Sequence, residues 1–517
     1  MNAVIENQRD VIAFLSDTQT YGISERIEIH ETHGSLVFLA GEHAFKLKRA
    51  VKYPYMDYST VERRGQMCER ELAVNRRSAR SLYEEVRAIV ADGGTLRFAR
   101  RGEGNPVDWV VVMRRFDQAG LFESRRKQGI LSHEDMLALA GSIANYHATA
   151  ERMWDHGGAA GLRAIIVENV AILDEKYAGT ERSESVRQLA ESSSRWLRRT
   201  RDVLGSRRRT GFVRRCHGDL HLNNVCMIDG APVLFDAIEF NDSFSCIDVF
   251  YDLAFMLMDL DWHGLRGHAN TLLNRYAELT GDQGGLAALP LFLSCRAAIR
   301  AHVALSTLQS ASTGAIEATA PARLLQAAGA YLDPPRPVLI AIGGISGTGK
   351  STLARALAPA IGAAPGALVL RSDVVRKSLM GVSETDRLDA DAYGPEPTAA
   401  VYRQLCESAA RALRAGHSVI IDAVCGEGWQ QAQIAAVAHA TSVQFRGIWL
   451  EAPLRILEER VRQRYADVSD ATVEVLQKQV VSVSAPSQWQ PVKTEGPPGE
   501  VLADVRRVIG MAASPAH

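Results

Sequence analysis

The run at residues 216–225, CHGDLHLNNV, spaces its polar side chains for proton and metal chemistry. An aspartate, Asp219, stands five residues before Asn224, with His217 two before it. A carboxylate can accept the proton of a hydroxyl, and an amide oxygen beside it can ligate Mg²⁺. Phosphoryl transfer to an alcohol requires both. A second aspartate, Asp236, follows the apolar run PVLF and is the natural second metal ligand. His217 and His221 also have the spacing of a zinc pair on a helix. Gly218 between them and the two asparagines after them disfavour that helix, and Gly218 stands where H-E-x-x-H needs glutamate. His217 is therefore assigned as an orienting residue, and His221 has no role.

Phosphates need a cation, and the cation needs a partner. The stretch GSLVFLAGEHAFKLKRAV alternates around AGEH and predicts a β-hairpin. Its spacing puts Lys46 and Lys48 on one strand face. A following helix, expected to open with a Ser59 and Glu62 capping box, carries Glu71. Lys46 with Glu71 is the preferred pair; Lys48 and Glu69 are the alternatives. Asp229-Gly230 predicts a second hairpin, between Asn224 and Asp236.

A second constellation lies far along the chain. Gly344-Ile-Ser-Gly-Thr-Gly-Lys-Ser fits G-x-x-x-x-G-K-[ST] at every fixed position. Gly344, Ser346, Gly347, Thr348, Gly349, Lys350, Ser351 and Thr352 would wrap an anion with backbone N–H groups at a helix N-terminus. Lys350 adds a charge and Ser351 a Mg²⁺ ligand. Asp373, just past an apolar strand, is a candidate base, and Arg376 one turn on could hold an anionic group of the acceptor. Asp422, at another strand end, is a candidate metal residue. Arg460 and Arg464 share a helix face from which they could close over phosphates.

The elements that must position these groups fall into two parts. Pro334, Pro335 and Pro337 cannot sit inside a helix. The expected organisation is a domain at 1–332, a linker at 333–337 and a second domain at 338–517. The first part places strands early and helices late, an α+β pattern opening with a helix near residues 4–15. The second alternates strands (VLIAI, ALVL, SVII, VQFRGIWL) with helices, an α/β pattern with a parallel sheet. With 517 residues, 46% hydrophobic, 23% charged and a net charge of -1, the chain has no global attraction to nucleic acid or anionic membrane. The basic run at 198–211 reads as a solvated face. No segment reads as a membrane span or secretory leader, and seven scattered cysteines suit free thiols in a reducing cytoplasm.

The first set of residues, with HGDLHLNN as its specific part, resembles the aminoglycoside phosphotransferase and choline kinase-like family over roughly residues 25–315. The resemblance implies a bilobal protein-kinase-like fold, ATP and Mg²⁺ as cofactors, and a small hydroxylated acceptor. CIDVFYDLAF also resembles the family, with Asp252 structural. Asp259 and Asp261 are candidates for an acidic acceptor pocket, with a surface cap as the plainer alternative. The glycine-rich loop of protein kinases is missing, since only Gly34 precedes the hairpin strand. The second set resembles small P-loop kinases of the gluconate kinase, zeta toxin and polynucleotide kinase type over roughly residues 337–495. The order of the two parts resembles fused bacterial proteins that carry both. The two resemblances together imply a phosphotransferase with two ATP–Mg²⁺ sites; the alternative is one small-molecule kinase regulated by a non-catalytic nucleotide-binding domain.

Overall fold

The computed structural model describes residues 6–310, 315–463 and 469–510. It divides into two compact units, Met1–Ala164 with Leu204–Asp259, and Ile165–Val203 with Leu260–His517.

The first unit is built on a six-stranded antiparallel sheet. Its strands are β1 (Glu28–Glu31), β2 (Ser35–Ala40), β3 (His43–Lys48), β4 (Tyr83–Asp92), β5 (Thr95–Ala99) and β6 (Pro106–Arg114), in the order β1-β2-β3-β6-β4-β5. Period-two alternation sorts side chains between its faces. Phe38, Phe45, Leu47, Val110 and Val112 enter one core, beneath helix Arg9–Ser16. Val111 enters the other with Cys68 and Leu72 of helix α1 (Val61–Asn75). Lys46 pairs in register with Val111, so Lys46 and Lys48 face α1. Burying each large aliphatic side chain contributes about 1.5–3 kcal/mol. Ser59 does not cap α1 as expected. Its hydroxyl is bound to Asp57 Oδ1 at 2.5 Å, and Thr60 accepts from Arg63 N instead.

The catalytic-type loop lies between short strands. Strands β7 (Val225–Ile228) and β8 (Ala231–Leu234) form the expected hairpin, with Asp229 and Gly230 at φ 50° and 79°. Both central residues at positive φ define the tight turn that matches strand twist. Helices α2 (His133–Ala148) and α3 (Val249–Trp262) flank the loop with His147 and Asp252. Within the basic run, Arg207 is not solvated: it is 4% exposed, and its Nε and Nη2 bond Asp248 at 2.7 and 2.8 Å.

The second unit holds a five-stranded parallel sheet of β9 (Val338–Gly343), β10 (Leu368–Arg371), β11 (Val419–Asp422), β12 (Gln444–Glu451) and β13 (Gln490–Lys493), in the order β10-β11-β9-β12-β13. Strand β9 is apolar along its length because both its faces are covered, as parallel sheets require; Ile340 and Ile342 pack with Leu353 and Leu357 of the next helix. The division between units does not coincide with the proline linker. Helix α4 (Arg266–Thr280) belongs to the second unit, where Asn274 accepts from Val369 N at 2.6 Å and donates to Ala367 O at 3.2 Å, satisfying the backbone of edge strand β10. Among the described residues no helix is long and apolar enough to cross a membrane. All seven cysteines are free and buried.

Candidate active sites

In the first unit, residues far apart in sequence meet. Lys46 Nζ donates to Glu71 Oε1 at 2.8 Å and to Asp236 Oδ1 at 2.5 Å. The same Glu71 takes Lys48 Nζ on its other oxygen, at 2.6 Å. The preferred pair is thus formed, but Lys48 joins it rather than replacing it. Glu69 lies outside, beside Arg101 on the surface. Burial alone would raise the Glu71 pKa. The Lys46 and Lys48 ammonium groups outweigh it and hold the carboxyl at about 2. Burial likewise disfavours both lysine charges, yet the facing carboxylates raise both pKa values above the ordinary range.

The loop around Asp219 is fixed from three sides. Asn224 Nδ2 donates to Asp219 Oδ2 at 3.0 Å, and His221 Nε2 lies 3.2 Å from the same oxygen. His221 Nδ1 accepts from Asn223 N, so its Nε2 carries the proton and donates. His217 Nε2 meets Phe235 O at 2.8 Å and its Nδ1 accepts from Asp219 N, which ties the loop to the strand leading to Asp236. Burial depresses the His217 pKa and keeps the ring neutral, as those two bonds need. Asp252 receives the N–H groups of His217 and Gly218 at 3.0 and 2.8 Å, and His147 beside it. Asp259 is 2% exposed and accepts from Leu222 N, so it supports the loop and is neither a surface cap nor part of an open acidic pocket.

The residues suit a divalent cation. Asn224 turns its amide nitrogen to Asp219, leaving a carbonyl oxygen as donor, and the Asp236 side chain is 45% exposed. All are hard oxygen donors, which match Mg²⁺. Asp236 has φ 62°, a left-handed conformation costly for a non-glycine residue and frequent at functional turns.

In the second unit the loop at 344–351 enters helix α5 (Lys350–Leu357), with Gly347 and Gly349 at φ 87° and 88°. An added Cβ at Gly347 would lie 2.9 Å from Leu457 O, so glycine is required there for close approach as well. Gly344 N donates to Val424 O, Ser346 N to Gln479 Oε1, and Thr348 Oγ1 to Ile345 O. Lys350 Nζ bonds Ile345 O at 3.1 Å, and Thr352 is exposed on the first helical turn. Ser351 Oγ donates to Asp422 Oδ2 at 2.6 Å, which pairs the two expected metal residues. Asp373 lies in the first turn of α6 (Ser372–Met380). Burial and the Asp422 charge raise its pKa against the pull of Lys350. Arg376 is committed within the protein: its Nη1 donates to Ala392 O at 2.6 Å and its guanidinium lies over the Tyr393 ring. Arg460, on α7 (Leu454–Arg462), bonds Gly347 O at 3.4 Å and Thr494 O at 2.7 Å, holding the loop from above. Arg464 lies outside the described residues.

Residues 339–486 match the family model of the AAA domain. Rv2004c of Mycobacterium tuberculosis H37Rv, an uncharacterized protein, is 31% identical over 460 residues, covering 87% of this chain and 88% of its own. The chain belongs to the same family as Rv2004c. Among solved structures, a choline/ethanolamine kinase family protein from Mesorhizobium loti is 13% identical, covers 63% of this chain and 95% of its own, and has a TM-score of 0.37. A gluconokinase from Sinorhizobium meliloti is 19% identical, covers 34% of this chain and 96% of its own, with a TM-score of 0.24. The kinase-like character of this family member rests on its own geometry. One unit carries a strand lysine paired to a helix glutamate, and the other a P-loop on a parallel sheet.

Sequence reasoning left His221 without a role although it stands within HGDLHLNN, two residues from the Asp219 it bonds. It missed Glu239, which accepts from Lys48, and Asn75, which accepts from Ala237 N, because both act on residues distant in the chain and no local motif marks them.

Proposed function

We propose that the protein is an ATP-dependent phosphotransferase with one nucleotide–Mg²⁺ site in each unit, each passing the γ-phosphoryl group to a hydroxyl of a small molecule. The observation that carries this is the convergence of Lys46, Glu71 and Asp236 within hydrogen-bond distance across 190 residues of chain. In the first site Asp219 accepts the acceptor's hydroxyl proton while that oxygen attacks the γ-phosphorus. The bond from γ-phosphorus to the bridging oxygen breaks, and ADP leaves. His221 and Asn224 hold Asp219 Oδ2, His217 fixes the loop, and Lys46 binds phosphate oxygens with Glu71 as its anchor. Mg²⁺, held by Asn224 and Asp236, would neutralise phosphate charge.

In the second site the loop N–H groups and Lys350 bind phosphates, Ser351 and Asp422 suit the cation, and Asp373 is the base. Its raised pKa favours a base at neutral pH. Asp373 also sits within the electrostatic reach of Lys350 and Asp422, which supports transfer over a purely regulatory domain. Arg376 would orient the acceptor side through α6 and, after release from Ala392, an anionic group.

The test is ATP consumption by the full chain against sugars, amino alcohols, nucleosides and aminoglycosides. With the right acceptors, Asp219→Asn and Asp373→Asn should each remove one activity by about 10²–10⁴-fold and spare the other. Loss of both activities from one substitution would refute independent sites.

A further inference from the structure

The turn at 236–239 is held at every residue. Asp236 N donates to Tyr83 Oη at 3.2 Å, Ala237 N to Asn75 Oδ1 at 2.8 Å, and Ile238 N to His217 O at 2.9 Å. Glu239 Oε1 accepts from Lys48 Nζ at 2.5 Å and from Tyr58 Oη at 2.6 Å. Lys48 is 1% exposed, Glu239 4% and Asn75 0%. Asn75 also donates to Glu71 O, one turn back on α1. A row of alternating charge results: Asp236, Lys46, Glu71, Lys48, Glu239.

The inner end of that row, Lys48 and Glu239, is buried away from the half-exposed Asp236 carboxylate. When Lys46 and Asp236 engage nucleotide and metal, Glu71 would be left with a weakened partner on one side. Lys48 grips its other oxygen and keeps the carboxylate charged and in place. Glu239 in turn neutralises Lys48 and belongs to the same turn as Asp236. We infer that Lys48 and Glu239 form a buried tether that holds the metal-binding turn to strand β3, so that Asp236 is set for the cation before nucleotide arrives. They are positioning residues, and the inference rests on the proposed role of the first site. A pair that served stability alone would not discriminate between nucleotide with and without metal. A tether of the metal-binding turn acts on the metal-dependent part of binding.

The test uses the full chain carrying Lys350→Met, so that binding of a non-hydrolysable ATP analogue reports the first site. Equilibrium dialysis at stepped Mg²⁺ concentrations gives the half-saturating Mg²⁺. The double variant Lys48→Met/Glu239→Gln removes both charges together and leaves Glu71 paired to Lys46. It should need about tenfold more Mg²⁺ than the parent, with metal-free binding unchanged. The isosteric Glu239→Gln alone should shift the same way by a smaller factor, and it decides the matter if the double variant does not fold. Parent-like Mg²⁺ dependence in a folded variant would overturn the tether alone. Absence of Mg²⁺-dependent binding in the Lys350→Met parent would overturn the first-site reading and the tether with it.

Discussion

The two candidate sites are built in opposite ways. The first is made of side chains: five alternating charges, drawn from β3, α1 and the turn after β8, run from half-exposed Asp236 inward to buried Glu71, Lys48 and Glu239. The second is made chiefly of backbone: a contiguous loop that turns through glycines at positive φ into a helix N-terminus, with one lysine and one serine at its end. A side-chain site depends on every buried charge keeping its partner, because an unpaired one is costly. A backbone site depends on the space beside its glycines.

The backbone site is tested at Gly347. In Gly347→Ala a methyl group meets Leu457 O while φ stays positive, so the loop must shift. Analogue binding at the second site should fall by about 10²-fold, the order expected for a misplacement of roughly an ångström, with the first site unaffected. Unchanged binding in isothermal titration would break the contrast.

Glu71→Gln should act on the first unit through stability and its pH dependence. The folded carboxyl titrates at about 2 against 4.5 for a free glutamate. Its ion pairs therefore contribute stability that is complete above pH 4.5 and lost as pH falls towards 2. At neutral pH the variant should be less stable by about 3–5 kcal/mol, as for other broken buried pairs. That gap should narrow steadily below pH 4.5. A gap constant from about pH 7 to about pH 3 in urea unfolding would show that Glu71 is not held by its lysines.

The same contrast explains what was readable in the chain. The second site is largely contiguous, so G-x-x-x-x-G-K-[ST] marked its loop, Ser351 included, and Asp373 and Asp422 were read from strand ends. In the first, Asp219, Asn224 and Asp236 were readable because a short loop and a hairpin join them. Lys46 and Lys48 were placed on one face by strand periodicity, but nothing local says that Glu71 would serve both. Glu239 and Asn75 gain their roles only when α1, β3 and the turn after β8 are brought together, whereas His221 acts within its own loop, on Asp219 two residues before it. The helix cap moved by one residue because Ser59 had a nearer acceptor in Asp57. The division into units does not follow the proline linker: helix α4 belongs to the second unit, where Asn274 satisfies an edge strand that lies 95 residues later in the chain. Strand β13 was missed because it is short and contains Pro491, which an edge position tolerates.

Each unit is proposed to bind its own nucleotide. Equilibrium binding of a non-hydrolysable ATP analogue with Mg²⁺ to the full chain tests it most directly. Two molecules per chain are expected for the wild type, one for Lys46→Met and one for Lys350→Met. A single molecule per wild-type chain, or loss of both from either substitution, would contradict it.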